Sequence, residues 1–174
     1  MTKKSFKKNF LLFLIVYLVS SSTYSYLFPA GTFVDDALRK SETLLTVGVL
    51  NLFFERTTSH STLKDDNSPR ESIKINGKPV IGIVNECNAF KIHLIFSLFI
   101  VFIAGNYSKW LALGLGNLII YGFNVIRLVI LTIIAHFSRE QFDFHHEYTF
   151  SLLLYLIVFV MWYFYLNEKQ KTVE

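Results

Sequence analysis

Long runs of apolar residues dominate this chain of 174 residues and limit what it can fold into. Four runs stand out, at residues 10–28, 89–104, 110–137 and 148–166. About 20 apolar residues in a helix cross the ~30 Å hydrocarbon core of a bilayer. Eighteen phenylalanines and nine tyrosines are too many for one small core, and only 17% of the residues are charged. These features exclude a plain soluble domain and a disordered chain, and they predict an integral membrane protein.

The predicted fold is all-α and membrane-integral, with about four transmembrane helices, one short interfacial helix and a small extracytoplasmic β-hairpin. Residues 1–31 hold a basic N-terminus and the first span, which we expect to be retained as a signal anchor because no A-x-A-like cleavage site follows it. Residues 32–86 form an extracytoplasmic segment with an interfacial helix over 42–54, since its apolar run is too short to cross a bilayer. Residues 87–174 form a three-helix transmembrane core with a cytoplasmic tail.

A hairpin is predicted over residues 73–84. Asn76-Gly77 lies between apolar residues, and this dipeptide is a strong hairpin signal because a type I′ turn needs positive φ angles at both central residues. Pro79 lacks an N–H group and is expected on an edge strand. The polar residues 57–72 are predicted to be a loop, and residues 138–147 a polar connector between the third and fourth spans.

The distribution of lysines predicts the orientation. Short loops and chain ends rich in lysine stay in the cytoplasm. With four alternating spans, the N-terminal lysines, Lys109, Lys169 and Lys171 fall on one side. Both termini are then cytoplasmic, whereas residues 32–86 and 138–147 lie outside. The net charge of +4 is concentrated at the ends, so we assign it to topology and expect no nucleic-acid partner.

This topology brings three chemically reactive side chains to one depth near the outer surface. Cys87 lies where the second span begins, His146 lies where the fourth begins, and Arg127 follows Trp110 by seventeen residues. At 1.5 Å per residue, Arg127 is about 25 Å from the inner end of its helix. Asn124 shares its helical face, and this polar stripe predicts a site that faces protein.

Each of these residues also has an ordinary structural interpretation. Arg127 can extend to the lipid headgroups, a lone cysteine is most often a small hydrophobic residue, and paired histidines are common at interfaces. A position at a helix N-terminus favours the thiolate of Cys87, and its polar neighbours predict a hydrated thiol. A metal site that uses Asp143 and the nearby histidines is a weaker alternative, because no HExxH-like spacing is present. We therefore expect no metal and no cofactor.

The pattern resembles the exosortase/archaeosortase family of membrane-embedded sorting enzymes. The matching stretches are Asn85-Glu86-Cys87-Asn88-Ala89-Phe90, Phe123-Asn124-Val125-Ile126-Arg127, and Phe142-Asp143-Phe144-His145-His146 before the last span. The resemblance covers the chain from about residue 80 to the C-terminus, and the short length is similar to the exosortase F branch. One departure follows the cysteine, where family members often carry Ser or Ala and then Gly, and this chain has Asn88-Ala89.

The resemblance implies a cysteine protease or transpeptidase that cleaves C-terminal, PEP-CTERM-like sorting signals at the outer face of the cytoplasmic membrane. It implies Cys87 as nucleophile, His146 as general base and then acid, and Arg127 as the group that stabilises the thiolate or the oxyanion. The supporting residues are Asn124, Asn88, Glu86, His145 and Asp143. The implied partners are the lipid bilayer, membrane-anchored substrates with a C-terminal helix and basic tail, and an acceptor amine or water. Gly114 and Gly116 would allow close packing of the substrate helix.

Two hypotheses from other classes remain. A non-enzymatic membrane assembly or partner subunit does not require Cys87, Arg127 and His146 to be close together. A small transporter is a weaker alternative, because four spans leave little room for a pathway and the spans contain only one charge well inside the membrane. The distances among the three side chains therefore discriminate between the enzyme and the assembly subunit.

Overall fold

A computed structural model of the chain describes residues 3–28, 31–54, 58–64, 69–84, 87–103 and 109–171. These residues are mainly helical and include one small sheet. The elements are α1 (Lys3–Leu27), α2 (Phe33–Phe53), β1 (Thr58–Lys64), β2 (Pro69–Ile75), β3 (Lys78–Ile83), α3 (Phe90–Ile103), α4 (Lys109–Phe137), α5 (Arg139–Phe144), a π-helical turn (His145–Thr149) and α6 (Phe150–Lys171).

The chain divides into two compact units. Unit 1 comprises Met1–Pro29, Lys91–Ile120 and Leu154–Glu174, and unit 2 comprises Ala30–Phe90 and Tyr121–Leu153. The predicted segments 1–31, 32–86 and 87–174 do not coincide with these units. The reason is that α4 and α6 are continuous helices that each contribute residues to both units.

Three helical stretches are long and apolar enough to span a membrane, namely Lys7–Leu27, Lys109–Phe137 and Arg139–Leu166. They include the first, third and fourth predicted spans. The second predicted span, residues 89–104, is the 14-residue helix α3. Its length of about 21 Å is less than the ~30 Å hydrocarbon core. The described residues therefore include three helices with the length and composition of membrane spans, as in a multi-pass membrane protein, and the count of four spans is not confirmed.

Aromatic rings from α1, α3 and α6 pack together in unit 1. Phe99 stacks on Trp162 with ring centroids 4.0 Å apart, and Phe13 meets both rings edge-on. Gly116 of α4 lies so close to the ring of Phe96 that a Cβ atom would overlap it. The small residue at position 116 therefore already serves packing within this chain, rather than being free for a substrate helix.

One polar cluster joins α3 to α4 inside unit 1. The Nδ1–H of His93 donates to Asn117 Oδ1 at 2.7 Å, and Asn117 Nδ2 donates to Ser97 Oγ at 3.1 Å and to the Leu113 carbonyl at 2.8 Å. Such hydrogen bonds satisfy polar groups that lipid cannot. His93 is therefore engaged in a contact between helices.

Helix α2 of unit 2 begins at Phe33, not at residue 42. Thr32 is its N-cap, since Thr32 Oγ1 accepts a hydrogen bond from the Asp35 N–H, and the Asp35 carboxylate accepts one from the Thr32 N–H at 2.8 Å. This capping box satisfies N–H groups that the first turn of a helix leaves open. The interfacial helix predicted over 42–54 is thus the second half of a 21-residue helix, because the prediction followed the apolar run alone.

A three-stranded antiparallel sheet follows α2 in the order β1-β2-β3. Asn76 and Gly77, with φ angles of 52° and 75°, turn the chain between β2 and β3 as predicted. The loop predicted over residues 57–72 is wrong, because β1 and the beginning of β2 occupy most of it. The residues of β1 are mostly polar, so apolar alternation could not indicate this strand, and it is held by pairing along the whole length of β2.

The apolar core of unit 2 lies between the sheet, α2 and the part of α4 that belongs to this unit. Leu50 of α2, Ile73 and Ile83 of the sheet, and Leu128 of α4 are at most 2% exposed and pack in one cluster with Cys87. Full burial of such a side chain contributes about 1.5–3 kcal/mol. This core fixes the backbone around Cys87.

The hairpin turn generates a test with a matched control. We expect Gly77→Ala to lower the free energy of unfolding by about 1–2 kcal/mol, because an added Cβ opposes the left-handed backbone. Gly48 lies inside α2 with open space around its Cα, so Gly48→Ala should instead stabilise the protein by about 0.5–1 kcal/mol. Denaturant unfolding in detergent measures both changes. Equal destabilisation by the two variants would contradict this account of the turn.

Candidate active site

Cys87 lies in the short link between β3 and α3. Its backbone N–H donates to the Val84 carbonyl at 3.0 Å, and its own carbonyl accepts a hydrogen bond from Asn124 Nδ2 at 2.9 Å. The residue is 8% exposed and therefore largely buried. The prediction of a hydrated thiol is thus wrong. Both of its backbone groups are bonded within unit 2, and this arrangement fixes the direction of the side chain.

His146 approaches this thiol from a distant part of the chain. Its Nε2 lies 3.8 Å from Cys87 Sγ, although the two residues are 59 positions apart. This separation is suitable for a hydrogen bond with sulfur, and contacts between a nucleophile and its base are often loose in the absence of substrate. The structure therefore brings the proposed nucleophile and base together.

The orientation of His146 depends on a π-helical turn. The connector predicted over residues 138–147 is helical, because α5 runs directly into this turn and then into α6. The backbone N–H of Phe150 reaches the His145 carbonyl, which is the i→i+5 bond of a π-helix. Such a turn inserts one residue into a helix and is frequent at functional sites, because it turns the preceding side chains to a new direction.

Two side chains support the imidazole ring. Phe142 stacks on His146 with ring centroids 5.5 Å apart and an angle of 14° between the planes. The guanidinium of Arg139 in turn lies 5.5 Å from the centre of the Phe142 ring. It also donates a hydrogen bond to the Val80 carbonyl of β3. A chain of contacts thus connects the sheet to His146. Phe142 belongs to a stretch that carries the family resemblance, but its stacking on His146 was not predicted.

Arg127 and Asn124 point into unit 2 rather than away from the protein. Asn124 is 0% and Arg127 is 7% exposed, so the guanidinium does not extend to headgroups. Arg127 Nη1 donates to Asn124 Oδ1 at 3.3 Å, and Asn124 in turn donates to the Cys87 carbonyl. Arg127 also interacts electrostatically with Cys87 and with His146. The polar stripe predicted on this helix therefore faces the thiol.

Asn88 anchors the residue next to the thiol. Its Nδ2 donates to Asp35 Oδ1 at 3.0 Å and to the Asp35 carbonyl at 3.2 Å, while its Oδ1 accepts a hydrogen bond from the Phe90 N–H at 3.0 Å. The amide thus joins α2 to the first turn of α3. Ala89 has a φ of 53°, in the left-handed region that glycine adopts most easily. Its backbone therefore takes the conformation that the family's glycine would take without strain.

Helix α2 carries a buried polar face that was not predicted from the sequence. Its members recur at helical spacing and are at most 2% exposed, namely Asp35, Arg39, Glu42, Thr43 and Thr46. The spacing of three and four residues between acidic, basic and hydroxyl side chains could have indicated this face. The prediction instead followed the apolar residues of the same helix, many of which are exposed.

Glu42 occupies the centre of this face, beside Asn124 and Arg127. Burial raises the pKa of the Glu42 carboxyl to about 8, although the neighbouring Asn124 amide and the charge of Arg127 both act to lower it. The Glu42 carboxyl is therefore mostly protonated at neutral pH. Arg127 keeps its charge beside a neutral acid and a thiol.

The other predicted site residues lie at the margin of this cluster or outside the described residues. His145 Nδ1 contacts Thr149 Oγ1 at 3.1 Å within its own turn. Asp143 is exposed and acts electrostatically on His146. Glu86 lies outside the described residues. Among the residues that the structure describes, no three His, Cys, Asp or Glu side chains are grouped to hold a metal ion.

Comparisons with protein-family models, with curated proteins and with solved structures found no match. The resemblance to exosortases therefore rests on the sequence pattern alone.

Proposed function

We propose that the protein is a membrane-embedded cysteine peptidase or transpeptidase of the exosortase kind, with Cys87, His146 and Arg127 as its reacting groups. The observation that carries this proposal is the 3.8 Å approach of Cys87 Sγ to His146 Nε2 beside a buried arginine. A thiol and an imidazole in contact form the usual pair of nucleophile and base in cysteine peptidases. A non-enzymatic assembly subunit has no need of this juxtaposition.

In the proposed reaction, His146 Nε2 takes the thiol proton while Cys87 Sγ attacks the carbonyl carbon of the scissile peptide bond. The carbonyl π electrons move to oxygen and form a tetrahedral oxyanion. Its collapse breaks the C–N bond and leaves a thioester, while His146 returns the proton to the departing amine. An acceptor amine or water then attacks the thioester, loses its proton to His146, and releases the thiolate.

Arg127 supplies the positive charge in this scheme. Its Nη1 is occupied by Asn124, whereas its buried Nε–H has no hydrogen-bond partner among the described residues. A guanidinium has five N–H donors, so at least one remains for the thiolate or for the oxyanion. A donor that stabilises a developing oxyanion contributes about 2.7–4 kcal/mol.

The proposed substrates are membrane-anchored proteins with a C-terminal sorting signal, a transmembrane helix and a basic tail. The proposed location is the outer face of the cytoplasmic membrane, and the lysine pattern supports this orientation. This orientation requires α3 to cross the bilayer together with the three full-length spans, which leaves both termini in the cytoplasm. With three crossings the termini would lie on opposite sides.

Substitution of the two adjacent histidines tests the chemistry. We expect His146→Ala to slow processing of a co-expressed protein that carries such a tail by about 10²–10⁴-fold, because general base catalysis is lost. His145→Ala is the matched control and should keep most activity, since His145 contacts Thr149 and not the thiol. Cys87→Ala should abolish processing. Immunoblots of precursor and product, with membrane insertion as a check, measure these outcomes, and processing by C87A at the wild-type rate would refute the proposal.

Two lysine positions test the orientation. Lys78 of the hairpin and Lys109 of α4 are each replaced by cysteine in the C87A background, which otherwise contains no thiol. A membrane-impermeant maleimide should label Lys78→Cys in intact cells and should label Lys109→Cys only after permeabilisation. Labelling of both positions from outside, or of Lys109→Cys alone, would contradict the proposed topology.

A further inference from the structure

Glu42 is a buried carboxyl group that the proposed reaction does not use. Its exposed fraction is 0%, and among the described residues neither carboxylate oxygen has a hydrogen-bond partner at ordinary distance and angle. A buried acid without such partners costs free energy, especially when it is ionised. Its presence at the centre of a site therefore needs a physical reason.

The neighbours of Glu42 are Asn124, which bonds to the backbone of the candidate nucleophile, and Arg127, which interacts with it electrostatically. The amide of Asn124 and the guanidinium of Arg127 both act on the carboxyl group. Asn124 also holds the Cys87 carbonyl at 2.9 Å, and Arg127 interacts electrostatically with Cys87. We therefore expect a change in the charge of Glu42 to alter the reactivity of the thiol through these two side chains.

We propose that Glu42 is a positioning residue of the Cys87 site, which acts on the thiol through Asn124 and Arg127. The significance for catalysis rests on the proposed function, whereas the coupling between the groups can be measured on the thiol alone.

The charges around the Glu42 carboxyl group determine whether its ionisation favours or opposes formation of the Cys87 thiolate. Arg127 faces Glu42 from α4, while Glu71 of β2 is bonded to a threonine of β1 and Arg39 of α2 is paired within its own helix. Once Glu42 ionises, its negative charge offsets that of Arg127 and opposes formation of the Cys87 thiolate. The protonated acid has neither effect. Glu42 thus leaves the reactivity of the thiol unchanged at neutral pH and lowers it in alkaline solution.

The experiment measures the rate of alkylation of Cys87 by iodoacetamide from about pH 6 to pH 10. Cys87 is the only cysteine in the sequence, so the full chain in detergent reports on one thiol. Glu42→Gln preserves the shape of the side chain and removes its ionisation. Thr43→Val is the matched control, because Thr43 is equally buried on α2 and its hydroxyl bonds to the Arg39 carbonyl of the same helix.

We expect wild type and E42Q to react at similar rates below about pH 7, where Glu42 is neutral. Near pH 9 the thiol of E42Q should react about three- to tenfold faster, because the opposing charge is absent. T43V should follow the wild-type curve. Coincident curves for wild type and E42Q, or an equal displacement in T43V, would overturn the proposal. Should E42Q fail to fold, Glu42→Met, which also removes the ionisation, is compared with wild type, and coincident curves would again overturn the proposal.

The outcome is independent of the peptidase proposal. Unchanged processing by C87A together with a displaced E42Q curve would refute the peptidase and keep the coupling. Loss of processing in C87A together with coincident curves would keep the peptidase and refute the role of Glu42.

Discussion

The burial of one positive charge governs the arrangement of unit 2. Arg127 lies within an otherwise apolar helix, and a guanidinium removed from water costs several kcal/mol unless it finds partners. The protein supplies an amide at Asn124 and a protonated acid at Glu42, but no full counter-ion on the described side chains around it. In the proposed reaction, the opposite charge is the thiolate that Cys87 forms. The cost of the buried cation is therefore relieved when the thiol ionises, which is the state that nucleophilic attack requires.

Helix α2 makes this environment possible because it buries polar residues and exposes apolar ones, which is the reverse of a helix on the surface of a soluble domain. Its inner face carries Asp35, Arg39 and Glu42, whereas Leu52 and Phe53 on its outer face are 82% and 68% exposed. A soluble domain would bury such apolar residues, but a helix that lies against lipid can expose them. The same reversal places polar groups where they meet Asn88, Asn124 and Arg127. Exposed apolar residues and a buried polar face are thus two consequences of one pattern.

The sequence allowed prediction of the features that local patterns determine. Long apolar runs predicted three helices that can span a membrane, and Asn76-Gly77 predicted the turn between β2 and β3. Strand β1 and the buried face of α2 were missed, because both are polar and periodicity methods search for apolar faces. The π-helical turn was missed as well. A single i→i+5 hydrogen bond does not require a particular amino-acid composition, so the sequence does not indicate this turn, although His146 lies within it.

The two residues after Cys87 determine the geometry of the link that carries it. Asn88 bonds to α2 and to the first turn of α3, so this link is held from both sides. Ala89 adopts a left-handed backbone at a cost of about 1–2 kcal/mol that glycine would avoid. The three bonds of Asn88 can hold that strained residue in place, because each buried hydrogen bond contributes about 1 kcal/mol. Asn88 and Ala89 therefore act together: the amide at 88 maintains the link geometry that a glycine at 89 would adopt without strain.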